Sequence, residues 1–187
     1  MKHSALMIAL AACLVSGAAA ADPRGELVDA FQKAMADGSY RMDIQTSSGP
    51  DTMLEVQLPD RFHMKNAQSE MVMLPGGTWI NAGGNWMKVP MDMSKITQGY
   101  TEQAMKDGIN SLQEVEYLGE ESVKGCASRH YSYAVRGNFM GVNANSEAQA
   151  WICGDSGMPI KVVSTDKGNT VTITYDFDAA VNIRPPN

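Results

Sequence analysis

The sequence predicts an α+β fold, an antiparallel sheet of about ten short strands with two helices on its apolar face. Three observations predict it. One segment near the start carries apolar residues at helical spacing. From Tyr40 onward the apolar period changes to two, with turn residues every few positions. A second helix-periodic segment interrupts that pattern at 91–107. Short alternating strands joined by tight turns make a meander with one buried face, and a sheet that wide must cover the face with something.

Residues 1–20 read as a leader. Lys2 precedes an apolar run from Ala5 to Val15, and the run closes on Ser16-Gly17-Ala18-Ala19-Ala20-Ala21. A short apolar run ending in small residues is the signal-peptidase pattern and is too short to span a bilayer. Cleavage is expected after Ala20, with Ala21 as the alternative. The organisation expected is therefore a signal peptide over 1–20 and a single domain over 21–187, placed in the periplasm. Leu10-Ala11-Ala12-Cys13 also fits the lipobox at which lipoproteins are cut. Cys13 is read as a small residue of the apolar run, with lipoprotein anchoring at Cys13 as the alternative.

Asp22-Pro23 is a helix start, and Leu27, Val28, Phe31 and Met35 recur at helical spacing before Gly38 stops the helix. Alternation then sets in. Tyr40, Met42 and Ile44 form one apolar line, Leu54, Val56 and Leu58 a second, Phe62 and Met64 a third. Ser48-Gly49-Pro50, Pro59-Asp60, Pro75-Gly76-Gly77 and Gly83-Gly84 are the turns between strands. The segment 91–107 places Ile96, Tyr100, Ala104 and Met105 at helical spacing, weakened by Gly99 and Gly108. Strands resume at 113–121, 125–136, 147–153, 158–165 and 169–177.

Beyond the leader two cysteines remain, Cys126 and Cys153. In an exported chain such a pair reads as a disulfide. A hairpin with Cys126 opposite Cys153 sets Ser128 against Trp151 and His130 against Gln149. Its other face then carries Tyr131, Tyr133 and Val135 against Ala148, Ala150 and Ile152, which sorts the apolar residues onto one side.

The formal net charge of −6 argues against nucleic acid or an anionic membrane face as electrostatic partner. Beyond the leader there is no P-loop, G-x-S-x-G or H-E-x-x-H motif and no paired carboxylates. Gly154-Asp155-Ser156-Gly157 is similar to the nucleophile segment of trypsin-like proteases, but Met158-Pro159 follows, and these residues are what a hairpin turn needs. No catalytic residue is assigned, and the chain is read as a non-enzyme. His63 and His130 lack carboxylate or thiolate neighbours at ligand spacing, so no metal or cofactor is expected. Methionine is the oddity, with fourteen in the chain. Thioethers line pockets that adapt to an apolar ligand. Met71-x-Met73 and Met91-x-Met93 also suit Cu(I), so a Met-rich periplasmic copper-binding protein is the alternative function.

Three stretches carry a family resemblance: the helix followed by a meander with the turn Leu58-Pro59-Asp60-Arg61-Phe62, the pair Trp151-Ile152-Cys153 and Gly157-Met158-Pro159-Ile160-Lys161, and the ending Val171-Thr172-Ile173-Thr174-Tyr175-Asp176-Phe177-Asp178 with Val181-Asn182-Ile183 and Pro185-Pro186 after it. Over about 150 residues the chain resembles the periplasmic lipoprotein-carrier family (LolA-like) and the related lipid-binding lipoproteins of mycobacteria. The resemblance implies a curved antiparallel half-barrel whose helices cover the concave face, and an apolar cavity that carries acyl chains. It implies a lipid or lipidated protein as ligand and a membrane-bound donor or acceptor as partner. It also implies a cavity arginine, for which Arg41, Arg61, Arg129 and Arg136 are candidates.

The strand alternation puts Ile44, Leu54, Val56, Phe62, Met64, Met87, Val89, Tyr131, Tyr133, Ile160 and Val162 on one face, with Val171 and Ile173 beside them. These are the candidate cavity residues. Met91, Met93, Ile96 and Tyr100 are the candidate lid.

Overall fold

The computed structural model describes residues 22–90, 102–139 and 142–186, with the side chains of 82, 102–105, 138, 139 and 142–144 left aside. The leader and the lid residues Met91, Met93, Ile96 and Tyr100 lie outside the described residues.

Helix α1 spans Pro23–Asp37, with Pro23 in its first turn and Gly38 at φ 75° closing it in the left-handed region. Its buried line is Leu27, Ala30 and Ala34. Val28 and Met35, expected on the buried stripe, are half-buried at its flanks. The reason is steric. The sheet beneath presents Ala148 and Ala150, and methyl groups on both sides let the helix lie close.

Among the described residues eleven strands are formed, against about ten expected: β1 (Ser39–Thr46), β2 (Thr52–Gln57), β3 (Arg61–Asn66), β4 (Glu70–Leu74), β5 (Gly77–Ala82), β6 (Asn85–Val89), β7 (Leu112–Val123), β8 (Cys126–Phe139), β9 (Val142–Cys153), β10 (Pro159–Asp166) and β11 (Asn169–Asp176). The second helix, α2, runs over Glu102–Ser111 and so ends four residues beyond the expected 107. All strand pairs are antiparallel, in the order β6-β5-β4-β3-β2-β1-β11-β10-β9-β8-β7, and the sheet stays open. Its edges, β6 and β7, are consecutive in sequence. Residues 90–111 join them, and α2 is the described part of that connection.

The β8–β9 register corrects one expectation. Cys153 stands opposite Ser128, not Cys126, and His130 faces Trp151, not Gln149. The pairing continues past Cys153, with Gly154 N–H donating to the Ala127 carbonyl at 2.9 Å. A slip of two residues leaves every side chain on its own face. Cys126 and Cys153 still form the disulfide, now as a diagonal pair with Cα atoms 5.7 Å apart.

Both helices among the described residues sit over one half of the sheet. Helix α1 rests against β7 and β10, and α2 against β7 and β8. Helix α1 is also tied at both ends. Arg24 donates to the Ile109 carbonyl of α2 at 2.7 Å, and Lys33 to the Ser156 carbonyl in the β9–β10 turn at 2.5 Å. Beneath α1, Leu27 and Ala30 pack with Tyr131, Tyr133, Ala148, Ala150, Ile152 and Val162. On the convex side, the chain end after β11 lays Val181 and Ile183 over Val72, Leu74, Trp79 and Trp86. Arg61 holds it there by donating to the Ile183 carbonyl at 3.2 Å.

Candidate functional site

The strand registers assemble the other half of the concave face as two cross-strand rows. One reads Tyr175, Met42, Leu54, Met64, Met71, Ile80 and Met87 across β11 and β1 to β6. The row beside it reads Tyr40, Val56, Phe62, Met73, Thr78 and Val89 across β1 to β6. The two rows differ in cover. Tyr40, Val56, Phe62, Met73 and Thr78 are buried. Leu54, Met64, Met71 and Ile80 are half-buried, and Met87 at the edge is 54% exposed. Four interstrand steps of about 4.8 Å make this accessible strip roughly 19 Å long from β2 to β6. One leaflet of bilayer hydrocarbon is about 15 Å deep.

The candidate cavity residues divide between the two halves. Ile44, Leu54, Val56, Phe62, Met64, Met87 and Val89 lie on β1–β6, with Ile44 beside Ile173 of β11. Tyr131, Tyr133 and Val162 lie beneath α1 in its core. Ile160 sits at a bulge between Pro159 and Lys161 and is half-buried. Of the copper alternative's methionines, Met71 and Met73 both face the concave side, Met73 within the apolar cluster of Tyr40, Val56 and Phe62. Among the described residues the one group of three metal-ligand types is Cys126, Cys153 and Asp155. Its two sulfurs are bonded to each other and are not thiolates.

Besides the hydroxyls of Tyr40 and Tyr175 at the β1–β11 end, the rows contain one polar side chain, on β5. Thr78 is 0% exposed, and its Oγ1 has no hydrogen-bond partner. Nothing in the sequence singles it out, because threonine is an ordinary strand residue. Only its burial and its unpaired hydroxyl mark it.

Of the four candidate arginines, Arg129 alone stands on the concave side. It is opposite Ile152 on β8 and forms an ion pair with Glu26 of α1 at 2.7 Å. Its guanidinium lies over the rings of Tyr117 and Tyr131, 5.1 and 5.9 Å from their centroids. Tyr131 donates its hydroxyl to the same Glu26 carboxylate. Burial lowers the Arg129 pKa, but the Glu26 hydrogen bond and the nearby Tyr131 outweigh it and leave the net shift upward. Burial first, and then the bond to Glu26, raise the Tyr131 hydroxyl above the ordinary tyrosine value. This knot fastens α1 to β8 and closes that half.

The convex side carries polar ladders. Arg41 donates to Glu55 Oε1 at 2.7 Å, and His63 sits between Glu55 Oε2 at 3.0 Å and Glu70 Oε1 at 2.8 Å. Burial alone would raise the Glu55 pKa, but the hydrogen bonds from His63 and Arg41 together pull it below the ordinary carboxylate value. The two carboxylates occupy opposite nitrogens of His63, so they do not converge on one point as metal ligands would. A cleft of about 430 Å³ beside them is lined by His63, Glu70, Val72, Trp86 and residues 182–184 and 186 of the chain end.

No family model matches the chain, and no curated protein matches it in sequence. Solved structures do. The lipoprotein LppX of Mycobacterium tuberculosis superposes with a TM-score of 0.69 at 13% identity, over 88% of this chain and 100% of that one. LprF of Mycobacterium bovis superposes at 0.65 and 14% identity, over 88% and 96%. At these identities the likeness is one of fold. The chain shares the fold of these two proteins, and its open antiparallel sheet is the half-barrel that the resemblance implies. No helix among the described residues is long and apolar enough to cross a membrane.

Proposed function

We propose that this protein is an extracytoplasmic carrier that holds an acyl chain of a lipid or lipidated protein on the concave face of β1–β6. One observation carries the reading: a continuous row of partly exposed apolar side chains runs from Leu54 to Met87 beside a buried row. Apolar surface of that extent on a lone soluble domain marks a binding site. The fold shared with the mycobacterial lipoprotein LppX supports the same reading. The Cys126–Cys153 disulfide suits an oxidising compartment, to which the leader over 1–20 would deliver the chain. No residue is assigned a catalytic role.

The test is uptake of a fluorescent fatty acid by exported protein stripped of lipid. Met64→Trp, at the half-buried middle of the strip, should leave the fold intact and block uptake. Val162→Trp, beneath α1, should instead lower stability by about 1–3 kcal/mol through overpacking. No uptake by the unmodified protein sinks the carrier reading.

A further inference from the structure

Among the described residues the Thr78 hydroxyl is the one buried side-chain polar group without a hydrogen-bond partner, and it lies in the concave rows. Native proteins leave few such groups, and each one carries a desolvation penalty that valine in its place would avoid. Thr78 stands between Met73 and Val89 in its own row, two residues along β5 from Ile80 in the accessible strip. Its cross-strand neighbour Met73 is an unbranched thioether that can change rotamer to admit a ligand.

We propose that Thr78 Oγ1 anchors the ligand, and that the ligand is an acyl compound whose carbonyl oxygen accepts a hydrogen bond from the Thr78 hydroxyl. The inference rests on the acyl-carrier reading and adds to it where the polar end of the ligand lies. A methionine-lined strip grips a hydrocarbon chain without fixing its position along the strip. A buried, unpaired hydroxyl at the floor fixes it, as sparse polar groups do in apolar sites. The hydroxyl donates to a neutral ester or amide carbonyl as readily as to a carboxyl group, so one chemistry covers lipid esters, acylated proteins and free fatty acids. The chain then lies along Ile80, Met71, Met64 and Leu54, or leaves past Met87 at the edge.

The experiment compares displacement of N-phenyl-1-naphthylamine by methyl laurate and by dodecane, on exported, lipid-stripped protein. Wild type should prefer the ester by roughly tenfold, the scale of one hydrogen bond to a group otherwise unpaired. Thr78→Val should bind ester and alkane alike, through loss of ester affinity alone, and should melt no lower than wild type. Thr78→Ala should lose the preference as well, and Thr78→Ser should keep it. A preference that survives in Thr78→Val, or is absent in wild type, overturns the anchor and leaves the carrier reading standing. A probe displaced by neither compound from wild type overturns both. Methyl laurate against lauric acid, on wild type, separates ester from acid sources.

Discussion

Glu55 joins three strands of the convex face through its hydrogen bonds to Arg41 on β1 and His63 on β3. Its depressed pKa gives the contribution a sign. A carboxylate held below its unfolded value stabilises the fold above the unfolded pKa, and that contribution is lost as pH falls through the folded value. Glu55→Gln should cost about 1–2 kcal/mol at neutral pH. The gap to wild type should shrink below about pH 4, which urea midpoints from pH 7 to 3 would show. The buried tyrosines act at the other end. Burial raises the Tyr133 hydroxyl pKa, as burial and Glu26 raise that of Tyr131. Their contribution is complete below the unfolded value and is lost as pH climbs past about 10. The double change Tyr131→Phe, Tyr133→Phe should flatten the alkaline loss of stability. At this scale the sequence was least legible. Thr78 and Glu55 look like any strand residues, and neither an orphaned hydroxyl nor a two-sided carboxylate leaves a trace in composition.

Elements were more legible, because alternation needs only parity. The hairpin of β8 and β9 shows why. Its expected register was two residues off, yet the sorting of Tyr131 and Tyr133 opposite Ala150 and Ala148 onto the concave side was right. Features that break parity could not be read. Strand β7 carries register shifts between Gln113 and Glu116 and between Tyr117 and Gly119, and Leu118 at the second is 49% exposed. Strand β4 was hard for a different reason. Val72 and Leu74 face outward and are buried because the chain end covers them, so both faces are apolar there. Helix α1 was placed correctly along the chain but rotated, since alanine weighs little in an apolar count. The disulfide closes a loop with a sequence separation of 27. Replacing both cysteines by serine should lower stability by about 3 kcal/mol on the chain-entropy model, read from denaturant unfolding.

At the scale of the whole molecule, alternation and turn spacing foretold an open meander with helices on one side. They did not foretell that the two described helices would share one half, where Arg24, Glu26 and Lys33, polar residues whose partners lie far along the chain, tie α1 beside α2 and the β9–β10 turn. The sheet order has a kinetic corollary. Strands β1–β6 and β7–β11 are two chain-local meanders, and a single pairing, β1 with β11, sews them together. That seam joins Arg41–Thr46 to Val171–Asp176, nearly the full span of the domain. Local hairpins close quickly, and pairings between distant segments close last because their loop entropy is highest. A chain threaded through a membrane from its N-terminus would thus hold its apolar rows unsealed until the last strand emerged. Ile44 and Ile173 face each other across the seam. If the seam forms late, Ile44→Ala and Ile173→Ala should mainly speed unfolding and change the refolding rate little. Refolding slowed by the full stability loss would instead place the seam in the nucleus.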